Sequence, residues 1–159
     1  MTDFKSWAPS HEDWDNQCFI ALEIAAVAHE GQLDKGGIPY LSHPVRVSQR
    51  VSGPQCVPAA LLHDVIEDTE WGPQELLDAG IHPVTVTDVI MLSKKFEYPE
   101  ETNREYHARL VATGSKVARK VKMADLKDNM DPRRPWHLPS GMRKKYEAFY
   151  IELRDSLAA

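Results

Sequence analysis

The chain has 159 residues, 42% of them hydrophobic and 27% charged, which is enough for one soluble globule with its own core. No apolar run approaches the ~20 residues a membrane span needs, and the opening stretch MTDFKSWAPSHEDWDN lacks the basic-then-apolar order of a signal peptide. A net charge of −5 with no basic cluster longer than the RKVK at 119–122 argues against a nucleic-acid partner, and two cysteines, Cys18 and Cys56, without disulfide-framework spacing read as free thiols of a cytoplasmic protein.

Residues 18–30 (CFIALEIAAVAHE) carry the apolar repeat of a buried helix, which GQLDKGGIPY then breaks with three glycines and a proline. Pro44 opens a second helix that runs through VRVSQRV to the Ser52-Gly53-Pro54 break. A third spans 57–68. A short fourth, GPQELLDAG, has Pro73 near its start and Gly80 at its end. Residues 83–93 (PVTVTDVIMLS) mix β-branched side chains with a leading proline, and the helical surroundings decide for helix. Thr102 caps a helix to 111 and Ser115 caps another to 130. Pro132, Pro135 and Pro139 interrupt the chain before Ser140 opens a last amphipathic helix, with Met142, Tyr146, Phe149 and Leu153 on one side. The expected architecture is all-α, a single-domain helical bundle over 1–159. Its motif-bearing core covers about 20–130 and its C-terminal helix about 140–157.

The part of LLHDVIEDTEW (61–71) that lies within the third helix places four ionisable groups in an apolar run. At roughly 100° per residue, His63, Asp64, Glu67 and Asp68 fall inside an arc of about 140°, and Leu61, Leu62, Val65 and Ile66 fill the opposite one. A charged stripe is usually a solvated face, but such a face is rich in Lys and Arg. Here three carboxylates and a histidine have no basic partner on the helix, so a cation or shifted pKa must relieve their repulsion. Upstream, YLSHPVRV sets His43 just before the proline that opens a helix. Downstream, VKMADLKDNMDP puts Asp125 and Asn129 on one helix face. Together His43, His63, Asp64 and Asp125 make a mixed nitrogen and oxygen ligand set that suits Mn, Fe, Zn or Ni rather than Ca. Glu67, one turn beyond His63, would face the attacking water as general acid or base, and Asp68 would orient it. Such sites hydrolyse phosphate esters and anhydrides.

The motifs AHEGQLDKGGIPYLSHP, ALLHDVIEDT and VKMADLKDNM occur in that order over roughly 20–130. In this the chain resembles the HD-domain metal-dependent phosphohydrolases, and more finely the hydrolase domain of the RelA/SpoT group with its stand-alone small alarmone hydrolases of the Mesh type. The resemblance implies an all-α bundle of the HD-domain type, with Mn²⁺ held by His43, His63, Asp64 and Asp125. It implies Glu67 and Asp68 as the catalytic pair, and Lys35 and Asn129 as substrate contacts. The implied reaction removes the 3′-pyrophosphate of guanosine tetra- or pentaphosphate, releasing GDP or GTP, in a domain that only degrades the alarmone. This chain departs from the pattern at Asp34-Lys35-Gly36, where the family usually has Arg-Lys-Ser and uses the arginine on guanine. It departs again at Leu126 and Asp128, where the family has Arg and His.

Two other readings follow from those departures. One is a phosphohydrolase of the same mechanism acting on another nucleotide or on the 2′-phosphate of NADPH. The other is a non-catalytic nucleotide-binding regulator, against which retention of every metal and catalytic position speaks. The remaining conspicuous residues are expected in ordinary roles. Asp128, His11, His82, His107 and His137 should be at the surface, Trp14 and Trp71 packed, Lys94-Lys95 a solvated pair, and His29 either packing at its helix end or serving the site.

Overall fold

The computed structural model describes residues 11–94 and 96–159, with side chains from residue 13 onward, so the readings of His11 and Lys95 lie outside the described residues. Helix α1 (His11–Ala28) starts well before the apolar repeat that announces it. The loop after it reverses direction at Gly31 and Gly37, whose φ of 74° and 77° only glycine adopts without strain. An isolated antiparallel bridge joins Leu33 to Pro39 across that loop.

Helix α2 (Ser42–Arg50) follows at once and buries His43, Pro44 and Val47. The single helix expected over 57–68 is two, α3 (Cys56–Leu62) and α4 (Val65–Asp68), divided at His63-Asp64. The His63 Nδ1 donates to the Ala60 carbonyl at 2.7 Å, a side-chain bond that competes for a backbone acceptor, and Asp64 swings to φ −103°, ψ −3°. The break leaves the face intact, because Leu61, Leu62, Val65 and Ile66 are all buried.

Helices α5 (Pro73–Asp78) and α6 (Pro83–Leu92) both begin on proline. The ambiguous 83–93 stretch is thus helical, with His82 Nδ1 accepting from the Val84 amide at 3.3 Å. Helix α7 (Asn103–Thr113) opens on a capping box, in which Thr102 and Glu105 satisfy each other's backbone amides. Ser115 caps α8 (Lys116–Asn129) by accepting from Ala118 at 2.9 Å. The Ser115 hydroxyl in turn donates to the buried Asp88 of α6. In α9 (Ser140–Ala158) Phe149 and Leu153 are buried and Tyr146 half-buried, while Met142 stays exposed at the mouth of a cleft.

Helix α3 is the partition of the core. Its Ala59 and Ala60 enter one apolar cluster with Val47, Leu110, Val121, Leu126, Phe149 and Leu153. Its Leu61 and Leu62 enter the other with Ala21, Ile24, Leu76, Ile81 and Val89. Small residues on the first side let α2 and α8 approach α3 closely, and large ones on the second fill the space against α1 and α6. The end of α3 is therefore among the most constrained points of the fold. Among the described residues no helix is long and apolar enough to cross a membrane. Leu62→Ala, at a position with no exposure, should cost about 2–5 kcal/mol of stability, read as a lower urea midpoint with an unchanged slope.

Candidate metal centre

At the end of α3 two imidazoles face two carboxylates. His63 gives its Nδ1 proton to the Ala60 carbonyl, which can only accept, so in the neutral ring its Nε2 carries the lone pair. That Nε2 is buried without a hydrogen-bond partner, 2.9 Å from Asp64 Oδ2 and 3.8 Å from Asp125 Oδ1. His43 is set the same way. Its Nδ1 donates to Asp128 Oδ2 at 2.8 Å, leaving Nε2 3.1 Å from Asp125 Oδ1 and 3.7 Å from Asp64 Oδ2. Acceptor lone pairs at such distances repel unless a proton or a cation lies between them. His43, His63 and Asp125 each offer a ligand atom, all within 4.8 Å of one another, with Asp64 beside them. Borderline nitrogen and hard oxygen donors of this kind fit a divalent transition metal.

The titration behaviour follows from the same geometry. Burial opposes charging His63, but Asp64 and Asp125 outweigh it and raise the pKa well above the histidine range. At His43, burial is likewise overcome by Asp125 and Asp128. Asp125, despite its burial, is held well below the carboxylate range chiefly by Lys122, whose Nζ lies 2.7 Å from Oδ2. Asp128 sits at about 2, because bonds from His43 and Arg46 outweigh its burial. Without a cation the imidazoles take up protons in its stead, so protons and metal compete for one place.

Around this cluster stands a second layer. The Tyr40 hydroxyl donates to Asp64 Oδ2 at 2.5 Å, and burial and the Asp64 charge push its own pKa up. Asn129 Nδ2 donates to Asp125 Oδ1 at 2.7 Å. Glu67 and Asp68 lie on α4 just beyond the cluster. Burial of part of each carboxyl, then the Asp64 charge at Asp68, raises their pKa, and the Lys94 amide donates to Glu67 Oε2 at 3.0 Å. Glu67 and Lys122 also form one wall of a cleft of about 980 Å³ that opens between α7, α8 and α9. Lys94, Arg104 and Lys145 add positive charge to it, and Met142, Tyr146 and Phe149 an apolar side.

The structure thus brings His43, His63, Asp64, Asp125 and Asn129 into one cluster, with Glu67 and Asp68 at its edge. Lys35 is exposed and lies over the Trp136 ring, 4.3 Å from its centroid. Three residues differ from their sequence reading. Asp128 is fully buried, not exposed, because His43 and Arg46 both bond it. Its spacing of three from Asp125 was the available signal. His107 is half-buried and stacked on Phe149 at 3.7 Å, its pKa lowered to about 4 by burial and then by Lys122. Lys94 lines the cleft. His29, read as packing or serving the site, is 2% exposed, bonded through Nδ1 to Gln32 and packed on Tyr40.

No protein-family model matches the chain. Among curated proteins it is similar to a guanosine-3′,5′-bis(diphosphate) 3′-pyrophosphohydrolase of Haemophilus influenzae, 37% identical over 116 residues, or 67% of this chain and 17% of that protein. It is 34% identical over 128 residues to the bifunctional (p)ppGpp synthase/hydrolase SpoT of Escherichia coli, covering 75% of this chain and 18% of that protein. A GTP pyrophosphokinase of Streptomyces coelicolor is 32% identical over 117 residues, 69% of this chain and 14% of its own length. The chain therefore spans less than a fifth of these relatives. The fold matches that of a metazoan ortholog of SpoT, described as hydrolysing ppGpp, with a TM-score of 0.69, 23% identity, and coverage of 95% of this chain and 88% of that one.

If Asp128 holds His43 in the tautomer that presents Nε2 inward, Asp128→Asn should weaken divalent-cation binding about 10- to 100-fold. Calorimetric titration of the purified protein with Mn²⁺ measures this, and an unchanged affinity would remove Asp128 from the centre's support.

Proposed function

The chain belongs to the HD-type RelA/SpoT hydrolase domains, and from that premise we propose that it hydrolyses guanosine tetra- or pentaphosphate to GDP or GTP and pyrophosphate, with Mn²⁺ as cofactor. The observation that carries the reading is the pair of inward imidazole lone pairs facing Asp64 and Asp125, with Glu67 between that cluster and a basic cleft. His43, His63, Asp64 and Asp125 are the proposed metal ligands, and residues 1–159 act as one hydrolase domain. A divalent cation held there would supply acidification of water and withdrawal of charge from phosphate oxygens.

The chain's own groups supply the rest. Glu67, whose pKa is raised by burial, takes the proton of the attacking water, and a pKa nearer neutrality makes that transfer efficient. Asp68 orients the water. Lys94, Lys122, Arg104 and Lys145 line the cleft where a polyphosphate would spread its charge. As water adds to the phosphorus next to the ribose, the bond to the 3′ oxygen breaks, and pyrophosphate leaves while the sugar oxygen regains a proton. Lys35 and Asn129 are the proposed contacts on the nucleoside side.

A second reading, the same chemistry on another nucleotide or on NADPH 2′-phosphate, is favoured by one observation. Asp34 sits where the family uses arginine on guanine, and its carboxylate is committed to Arg134 at 2.9 Å. Incubating the Mn²⁺-loaded protein with a panel of phosphorylated nucleotides, guanosine tetraphosphate among them, separates the two. GDP and pyrophosphate in equal amounts are expected from the alarmone. Glu67→Gln should lower kcat by at least ~100-fold with Mn²⁺ affinity retained. Turnover of another nucleotide without turnover of the alarmone would replace the substrate.

A further inference from the structure

Arg134 belongs to no helix and was not singled out by any motif, yet its side chain is only 12% exposed. One guanidinium nitrogen, Nη1, donates to Asn129 Oδ1 at 3.0 Å. The other, Nη2, donates to Asp34 Oδ2 at 2.9 Å. A guanidinium has donors only, whereas an asparagine amide can turn either end outward. Arg134 therefore forces Asn129 to present its oxygen to the arginine and its NH₂ to Asp125. That NH₂ lies 2.7 Å from Asp125 Oδ1, the same oxygen that faces both imidazoles.

We propose that Arg134 is a positioning residue of the metal centre, which fixes Asp125 Oδ1 through Asn129 and ties it through Asp34 to the loop after α1. This rests on the reading of Asp125 as a cation ligand and not on the identity of the nucleotide.

Asp125 is held at both ends. Lys122 takes Oδ2, and the Asn129 amide takes Oδ1. With Arg134 gone, nothing selects the donor end of the amide. In the flipped state an amide oxygen would oppose a carboxylate oxygen, and the carboxylate would turn toward Lys122. The loop is fixed by the same contact. Asp34 Oδ1 accepts from the Gly36 and Ile38 amides at 2.8 and 3.0 Å, while Oδ2 meets Arg134. The neighbouring residues are matched as well. Lys35 lies over Trp136, and a Cβ on Gly36 would come within 2.7 Å of Pro135 Cγ. Residues 34–36 thus meet 134–136 one for one, so the loop that carries Lys35 and the ligand Asp125 share one support. An aspartate at 34 has a role here that owes nothing to guanine.

The test measures Mn²⁺ affinity by calorimetry without nucleotide, with the melting temperature of the metal-free protein as control. Arg134→Met should weaken Mn²⁺ binding about 10-fold, as expected for loss of an outer-layer contact. Arg134→Lys, still a donor without an acceptor, should recover most of that loss. Asn129→Ala, which leaves 134–136 untouched, should match Arg134→Met, and the double variant should be no worse than either alone. Wild-type affinity in Arg134→Met, or additive losses in the double variant, would overturn the proposal. So would a lower metal-free melting temperature that accounts for the whole change. A wild-type protein that binds Mn²⁺ but leaves the alarmone intact sinks the substrate assignment and leaves this one standing. A wild-type protein that binds no divalent cation ends both.

Discussion

Buried negative charge at the end of α3 is the constraint from which the rest of the site follows. Asp64, Asp125 and Asp128 lie within reach of two imidazoles in a region where an unpaired charge is costly. Asp128 is neutralised by Arg46, with Arg50 and Arg134 close by. Asp125 has Lys122. Among the described residues Asp64 forms no ion pair with a lysine or arginine and is met by the Tyr40 hydroxyl and the imidazoles. Two histidines whose outer nitrogens are already committed cannot neutralise it except by taking protons. A divalent cation among the four would resolve the deficit and leave each imidazole neutral, which is the form in which it ligates.

The supporting layer shows how tightly that solution is specified. His63 is held by a carbonyl of its own helix, and His43 by an aspartate 85 residues away in sequence. The first bond is local and costs α3 its continuity. The second crosses the core between α2 and α8, so the position of His43 depends on how those helices pack on the alanine face of α3. Small side chains at 59 and 60 and the metal centre are in this sense one feature. A larger residue there would separate His43 from Asp125 before it unfolded anything.

Much of this was legible in the sequence. Local signals served well, since proline at the head of α5 and α6, the Thr102 capping box, the Ser115 cap and glycine at turns each act within a few residues. The His63-Asp64 face was readable because it depends on helical periodicity alone, and it survives the break that periodicity could not foresee. Asp128, Arg134 and His107 were not readable, since each owes its burial to a partner far along the chain or on another helix. An aspartate three residues after a candidate ligand looks the same on paper whether it meets water or an imidazole. The family comparison even drew attention away from it, by marking Asp128 as a departure when its carboxylate is what orients His43.

The charge distribution is compatible with the polyanionic substrate proposed above. Net charge is −5, yet the cleft beside Glu67 gathers Lys94, Arg104, Lys122 and Lys145. Clefts focus the field of the charges that line them, so the local sign governs binding and the global sign does not. Lys122 stands where the two regions meet, bonded to Asp125 on one side and lining the cleft on the other. Its charge therefore acts twice, lowering the pKa of Asp125 and adding to the positive charge of the cleft. Glu67 lies at the same border, and it and Glu152 are the carboxylates among the residues that line the cleft.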